Sequence, residues 1–562
     1  MVKIVECVPN FSEGRDLTVI DRITDEIKKV KGVKLLDVDP GYDTNRTVVT
    51  FVGNPEAVKE AAFLAVKKSH ELIDMSKHTG AHPRFGACDV CPIIPVSGVT
   101  MEECVEIARD LGKRLGEELD FPVYFYEYAA TTPERQNLAK VRKGEYEGLE
   151  AKLKDPNWKP DAGPAEFRPT KGATAVSARE FLVAYNINLN TTNPKKANYI
   201  AFRIREQGYS KRDKEGNILK DENGKNIMMP GLFKNCKAIG WYVDDFKRAQ
   251  ISINLTNYKV TNMHHVFDAA SEIAEKRGMR VTGSEIVGVV PKAALLEAGI
   301  HYLEKQGTCA GQSEEEIIKI AAFSLGLSDA TEFNPKEKII EYLVKEEEGL
   351  VDLTVNGFAD LLASDSPAPG GGSVAALCGS LSAALCSMVA NLTYNKAGYK
   401  QYNDEMNAIA KEMQIKKGEL LYLIDEDTNA FNIMMDAMKA QNKANKEGDK
   451  EEIAAADKKM YEANKYAISI PLKVLETTAG LLGSLKAIAE KGNENAVSDA
   501  GVGALLVESG VKGAALNVKI NLKNFSKDDP FYVESVSKMN AVLESLDKSV
   551  EEILDIVEAK VS

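Results

Sequence analysis

The chain has 562 residues, with 71 Lys and Arg against 84 Asp and Glu, a net charge of −13. At about 150 residues per domain, this length predicts several domains with well-filled cores. So acidic a chain is a poor candidate for sequence-independent binding to nucleic acid or to anionic membranes. Its 8 cysteines are too sparse for a disulfide scaffold. With no long apolar leader in MVKIVECVPN, they predict a reducing, cytoplasmic setting.

Through the first half, short apolar runs alternate with amphipathic ones. The pattern predicts a strand over 3–8, a helix over 17–30, strands over 33–38 and 46–52, a helix over 57–73 and a strand over 88–96. This β-α-β-β-α-β order is that of the split βαβ, or ferredoxin-like, unit. A helix over 100–119 and a strand over 122–126 extend it. The order then recurs: strand 181–189, helix 194–205, strands 237–243 and 249–255, helix 263–276, and a strand beginning at 279. Two stacked α/β subdomains are expected, 1–177 and 178–326, with the cleft between them as the default ligand site. Residues 207–230 (QGYSKRDKEGNILKDENGKNIMMP) interrupt the second unit and predict a hairpin or mobile loop.

At 327–335 (LSDATEFNP) the texture changes, and a linker is expected there. From 336 to 562 the chain reads as long helices over 374–391, 402–439, 450–491, 498–518 and 530–559, an all-α helical bundle. Residues 366–395 carry no charge and are long enough to span a bilayer. They open with two prolines and three glycines and are rich in Ala, Gly and Ser, which favours a buried helix among close neighbours over a membrane span.

The densest chemistry lies in residues 76–91, SKHTGAHPRFGACDVC. One reading is zinc held by His78, His82, Cys88 and Cys91. Against it, Gly80 and Pro83 oppose a regular helix through both histidines, and two strand positions an odd number apart point to opposite faces. The other reading is an acid–base site, in which an imidazole beside Arg84 moves protons while the guanidinium binds a carboxylate. A loop histidine without a role stays open on the residues alone. Asp37, Asp39 and Asp43 end a predicted strand, where lining the cleft and forming a turn are equally open. Residues 163–172, GPAEFRPTKG, carry Arg168 and Lys171 and suit a loop around an anionic ligand, or a plain link between subdomains.

In the second half, SPAPGGGS (366–373) is a glycine-rich turn before a helix. It presents free backbone N–H groups to an anion or a polar ring. It lacks the GK[ST] of a Walker loop, and close helix packing is the alternative. Asp425, Glu426, Asp427 and Asn429 fall mid-helix, where Leu423, Asp427 and Phe431 share a face. An Asp on such a stripe is either partnered or functional, and its pKa rises. Ser498 and Asp499 open a further apolar helix, with Ser498 placed to cap it.

These stretches resemble a known family. VECVPNFSEGR, LLDVDPGYDTNRTVVTFVG, DMSKHTGAHPRFGACDVCP, AREFLVAYNINL and IGWY are similar to glutamate formimidoyltransferase. SPAPGGGSVAAL, LIDEDTNAF and SDAGVGALL are similar to formimidoyltetrahydrofolate cyclodeaminase. In order and spacing they resemble the bifunctional formimidoyltransferase-cyclodeaminase family over nearly the whole chain. The 207–230 insertion is the main departure from animal members. The resemblance implies transfer of a formimino group from N-formimino-L-glutamate to N5 of tetrahydrofolate, late in histidine breakdown. Closure to 5,10-methenyltetrahydrofolate with release of ammonia follows. It places the transferase histidine on His82 and the cyclodeaminase acid on Asp427. It places folate contacts on Gly163, Pro164, Ala165, Glu166, Phe167, Arg168, Pro169, Thr170, Lys171 and Gly172, and on Gly231, Leu232 and Phe233. Arg84 suits a glutamate carboxylate, and Asp39 is carried as a further substrate contact. The resemblance also implies tetrahydrofolate, polyglutamylated forms included, as co-substrate, no metal, no nucleic-acid or membrane partner, and a dimer-based homo-oligomer, octameric in animal members. The competing class is a non-catalytic folate-binding or scaffold protein, against which intact His82 and Asp427 argue.

Overall fold

The computed structural model describes residues 3–42, 44–80, 84–244, 246–344 and 349–562. The contacts divide the chain into two units, 1–299 with 321–346, and 300–320 with 347–562. The expected break at 327–335 is therefore corrected. Asp329 accepts hydrogen bonds from Arg248 (2.8 Å), Thr282 (3.1 Å) and Asn188 (3.3 Å), and Ile339 bridges Val290, so this stretch belongs to the α/β unit. Residues 300–320 belong to the helical unit. There the Gly311 carbonyl accepts from Asn391 (2.7 Å) and Gln414 (3.1 Å), and the Ala310 N–H donates to Asn407 (2.9 Å).

In the α/β unit the strands are β1 (Ile4–Cys7), β2 (Asn10–Phe11), β3 (Val33–Gly41), β4 (Arg46–Gly53), β5 (Cys88–Ser97), β6 (Val123–Glu127) and β7 (Thr174–Ala178). Their sheet runs β3-β4-β1/β2-β5-β7-β6, antiparallel through β5 and parallel beyond it. The first four positions are the ferredoxin-like order expected from the sequence. Helices Leu17–Lys28, Pro55–Leu72 and Met101–Leu119 start where Asp16, Asn54 and Thr100 accept from backbone N–H groups two or three residues on. Val5, Cys7, Val49, Phe51 and Ile93 form one buried cluster with Ile23, Ile27, Val58, Val66 and Leu111 of these helices. Strand alternation then sends Glu6, Asn10, Arg46 and Val48 to the opposite face.

The second sheet, β11-β12-β8-β13, repeats the order with β8 (Val183–Leu189), β11 (Cys236–Val243), β12 (Arg248–Leu255) and β13 (Val281–Val287). Gly240 packs so tightly on Ala197 and Asn198 of the Pro194–Ile204 helix that a Cβ there would collide with the backbone. One face carries a polar network instead of a core. Trp241 donates to Gln250 (2.9 Å). Gln250 donates to Asn188 (3.0 Å) and Glu285 (2.7 Å), and Asn186 donates to Glu285 (3.0 Å). The 207–230 insertion is a hairpin: β9 (Tyr209–Ser210) pairs with β10 (Met228–Met229), and Asp213 and Asp221 each accept two backbone N–H bonds at its turns.

In the helical unit the uncharged segment forms the helix Gly371–Thr393. It is long and apolar enough to cross a membrane, and 61% of its most apolar window is buried. Its small residues, Ala375, Ala376, Ser380, Ala383 and Ala390 among them, are buried against Asn403–Glu447 and Val497–Asn521. The expected helix over 450–491 is two helices, Lys450–Ala479 and Leu482–Lys491. Gly480, a poor helix former, stands at the break.

Candidate functional site

The first constellation lies where β4 begins. The Asn45 side chain accepts from Gly14 N–H (3.1 Å) and donates to the Thr79 carbonyl (2.8 Å). Its carbonyl lies 2.9 Å from His78 Nε2, and Gly80 rests on Thr44. This stitches residues 76–80 to the strand. Arg84 Nε donates to His78 Nδ1 (3.2 Å), so His78 carries its proton on Nε2 and is neutral, with burial pushing its pKa down. The remaining Arg84 fork is closed by Glu147 at 2.6 and 3.1 Å. The donors of Arg84, expected to suit a glutamate carboxylate, are held here by His78 and Glu147. His82 lies outside the described residues, and so does Asp43.

Residues 163–172 run alongside. Met75 N–H donates to the Thr170 carbonyl (3.0 Å), Ala87 N–H to Lys171 (2.8 Å) and Ala173 N–H to Phe85 (3.0 Å). Gly163 and Gly172 have φ of +77° and +71°, where a side chain would be strained and would meet the backbone of Phe121 and Phe85. The sequence-expected folate loop and the histidine loop are thus neighbours. The cations singled out in that loop are occupied: Arg168 pairs with Asp120 (2.9 Å) and Glu166 (2.8 Å), and Lys171 donates to the Leu119 carbonyl (2.6 Å). Phe167 lies 5.5 Å from the Tyr146 ring. Pro164 and Ala165 make no polar contact with the site among the described residues. Leu232 and Phe233 N–H groups donate to Arg203 (2.8 Å) and Ile204 (3.1 Å), and Gly231 packs on Arg205. Among the described residues no hydrogen bond joins them to 163–172.

Asp37 and Asp39 are exposed on β3, paired in register with Thr50 and Val48. Cys88 and Cys91 occupy one core cluster together with Cys7, whose Sγ is 3.7 Å from that of Cys91. The expectation that they point apart is corrected. The register shifts between Asn10 and Phe11, whose partners are Val90 and Cys88, and the extra residue turns an odd spacing onto one face. Among the described residues no three His, Cys, Asp or Glu gather with metal-binding geometry.

The second constellation centres on Asp427. Three successive acids of one helix reach three different elements. Asp425 accepts from the Leu350 N–H (2.6 Å). Glu426 accepts from Tyr466 and from Asn429 (2.9 Å). Asp427 meets the glycine-rich turn: Ser373 Oγ is 3.2 Å from its Oδ2, and a Cβ on Gly372 would collide with its carboxyl. Gly370, at the N-cap, has no side chain to offer, so Asp427 supplies the acceptor for that helix start from another helix. Burial raises its pKa, and the Ser373 hydroxyl and N–H partly oppose the rise. Asn517 lies beside Gly371. Asp499 stands about five turns from Asn517 on the same helix, so the structure does not bring Ser498 and Asp499 to this carboxylate.

Three family models match consecutive stretches. "Formiminotransferase domain, N-terminal subdomain" matches 4–179, "Formiminotransferase domain" matches 184–345 and "Formiminotransferase-cyclodeaminase" matches 354–558. The formimidoyltransferase-cyclodeaminase of Mus musculus is 42% identical over 563 residues, covering 100% of both chains. The chain belongs to the formimidoyltransferase-cyclodeaminase family. Single-activity relatives align with parts of it. The glutamate formimidoyltransferase of Streptococcus pyogenes is 43% identical over 304 residues, 54% of this chain and 94% of that protein. The methenyltetrahydrofolate cyclohydrolase of Methylorubrum extorquens is 34% identical over 209 residues, 37% and 98% respectively.

The sequence marks Asp89 as part of the 76–91 cluster without giving it a role, and it passes over Arg46 and Arg142. Asp89 is fully buried and bonded to Arg142, with its pKa pushed up to about 6 by burial. A charge inside the otherwise apolar strand runs around 46 and 89 is the signal that marks them.

Proposed function

We propose that this chain transfers the formimino group of N-formimino-L-glutamate to N5 of tetrahydrofolate. It then closes the ring to 5,10-methenyltetrahydrofolate with release of ammonia. Family membership over three consecutive matched regions carries this reading. The names of its relatives support both half-reactions.

In the first step N5 attacks the amidine carbon. One proton leaves N5, and one reaches the departing glutamate nitrogen. His82 is the group we assign to this exchange, since an imidazole near neutrality both accepts and donates. The neutral His78 and the Arg84–Glu147 pair fix the residues that flank His82 in sequence. In the second step N10 attacks the same carbon and ammonia leaves. Asp427 takes the N10 proton and faces the cationic product. Its raised pKa makes it a better base than an exposed carboxylate. The setting we assign is histidine breakdown in the cytoplasm, with polyglutamylated tetrahydrofolate accepted and a homo-oligomeric assembly.

The test supplies N-formimino-L-glutamate and tetrahydrofolate, and follows methenyltetrahydrofolate by absorbance and ammonia by a coupled assay. Both products are expected in equal amounts. In His82→Ala, transfer should fall roughly 10²–10⁴-fold while supplied 5-formiminotetrahydrofolate is still cyclised. Transfer within threefold of the unmodified chain would remove His82 from the mechanism.

A further inference from the structure

We propose that Arg46 is the seat for a carboxylate of the formimino donor, with Asp89 and Arg142 behind it. The inference rests on the transferase reading above and names how that site holds its donor.

Arg46 opens β4 on the face turned away from the helices, because Val49 and Phe51 point into the helix-covered core. Its side chain is half-buried and makes no hydrogen bond or ion pair with any described group, and its Nε is buried without a partner. A guanidinium N–H withheld from water and left unpaired is costly, and native proteins rarely leave one so. Two more orphaned atoms lie beside it. Asp89 is fully buried and binds Arg142 through one oxygen, while its other oxygen and Arg142 Nε have no partner. Asp89, Arg142 and Asp39 all act on Arg46 electrostatically, yet none closes on it as an ion pair. The cluster thus sets two guanidiniums against one buried carboxylate, with Asp39 exposed on β3.

An open guanidinium fork matches a carboxylate through two parallel N–H···O bonds. The position suits a donor whose other end must reach the histidine loop. Asn45, the residue next to Arg46, holds His78 and Thr79, and Gly80 rests on Thr44. Arg84, which donates to His78 of that loop, is also held by Glu147. The donor is a dicarboxylate whose reacting amidine carries no carboxylate, so anchoring one carboxylate leaves the amidine free to meet N5.

The experiment compares N-formimino-L-glutamate with two donors lacking one carboxylate each, N-formimino-4-aminobutyrate and N-formimino-2-aminobutyrate, on the full-length chain. The unmodified chain should use one of the two roughly 10- to 100-fold less efficiently, the size of a lost charged hydrogen-bond pair. Arg46→Gln should raise KM for N-formimino-L-glutamate by a similar factor. It should leave kcat at saturating donor and KM for tetrahydrofolate within about threefold, and it should abolish the discrimination. Arg46→Lys, which keeps the charge and loses the fork, should recover part of the affinity. Equal use of all three donors by the unmodified chain overturns the proposal without any variant. So does Arg46→Gln with a lowered Tm and an unchanged donor KM, which would make the cluster structural. If the unmodified chain does not consume N-formimino-L-glutamate at all, the transferase reading itself fails, a result distinct from either.

Discussion

Asp427 is a side chain whose environment works in two directions. Burial raises its pKa, and Ser373 pulls it back. A base must be ionised to act, so cyclodeamination should fall as pH drops through a value above the ordinary carboxylate range. Ser373→Ala removes the hydroxyl at 3.2 Å and should move that acid limb to higher pH, with the transferase limb unmoved. The stability sign is separate. A carboxyl whose folded pKa is raised contributes stability below its unfolded pKa, and that contribution is lost as pH rises through the folded value. Asp427→Asn should therefore melt no lower than the unmodified chain at neutral pH, and Asn caps a helix about as well as Asp. It should transfer the formimino group and accumulate 5-formiminotetrahydrofolate. A clear drop in Tm with cyclisation retained would make Asp427 a structural cap. Cyclisation lost in Asp425→Asn alone would give the role to its neighbour. Asp427 was legible in the sequence because a lone acid interrupts an apolar helical stripe. Arg46 was not, because an arginine beginning a strand reads as an exposed end until its side chain is seen half-buried with no partner among the described residues.

At the scale of elements, the glycine-rich turn and the long helix 403–447 meet at one carboxylate. Gly372 is there because the approach leaves no room for a Cβ. Gly372→Ala should stabilise the helix by intrinsic propensity, by up to about 1 kcal/mol, while pushing the carboxyl out of place. The expected result is at least a tenfold loss of cyclodeamination with Tm unchanged or a few degrees lower, since the displaced carboxyl no longer accepts at the helix start, read by thermal melting beside the ammonia assay. Activity within twofold of the unmodified chain would show that the turn does not set the carboxylate position. Both ferredoxin-like sheets, their helices and the hairpin at 207–230 were legible, since period and punctuation encode them locally. The joint facing of Cys88 and Cys91 was not, because the bulge belongs to pairing between β2 and β5. Nor was the break at Gly480, where an apolar pattern continues through a weak helix former.

The whole molecule places its boundary by tertiary contact. Helical sequence on either side of 327 looks alike, so the change of texture marks where strands end and not where one unit ends. Residues 321–344 complete the α/β unit: Ile339 and Ile340 are fully buried, Ile339 bridges Val290, and Glu341 accepts from Lys292 N–H at 2.8 Å. A fragment ending at 330 removes all three and uncovers the groups they protect, at a cost of several kcal/mol for two large buried side chains. A fragment ending at 344 keeps them. The 1–344 fragment should therefore be soluble and transfer the formimino group, and 1–330 should precipitate or melt far lower. The converse holds for the helical unit. A fragment of 347–562 loses the partners of Asn391, Asn407 and Gln414, which all bond to 310–311, and uncovers Ala410 beneath Gly311. A fragment of 300–562 retains them and should melt at least about 5 °C higher. Circular dichroism melts of the four fragments, with transfer and ammonia release measured on each, decide the matter. Equal behaviour of 1–330 and 1–344, together with equal melting of the two helical fragments, would return the boundary to 327–335.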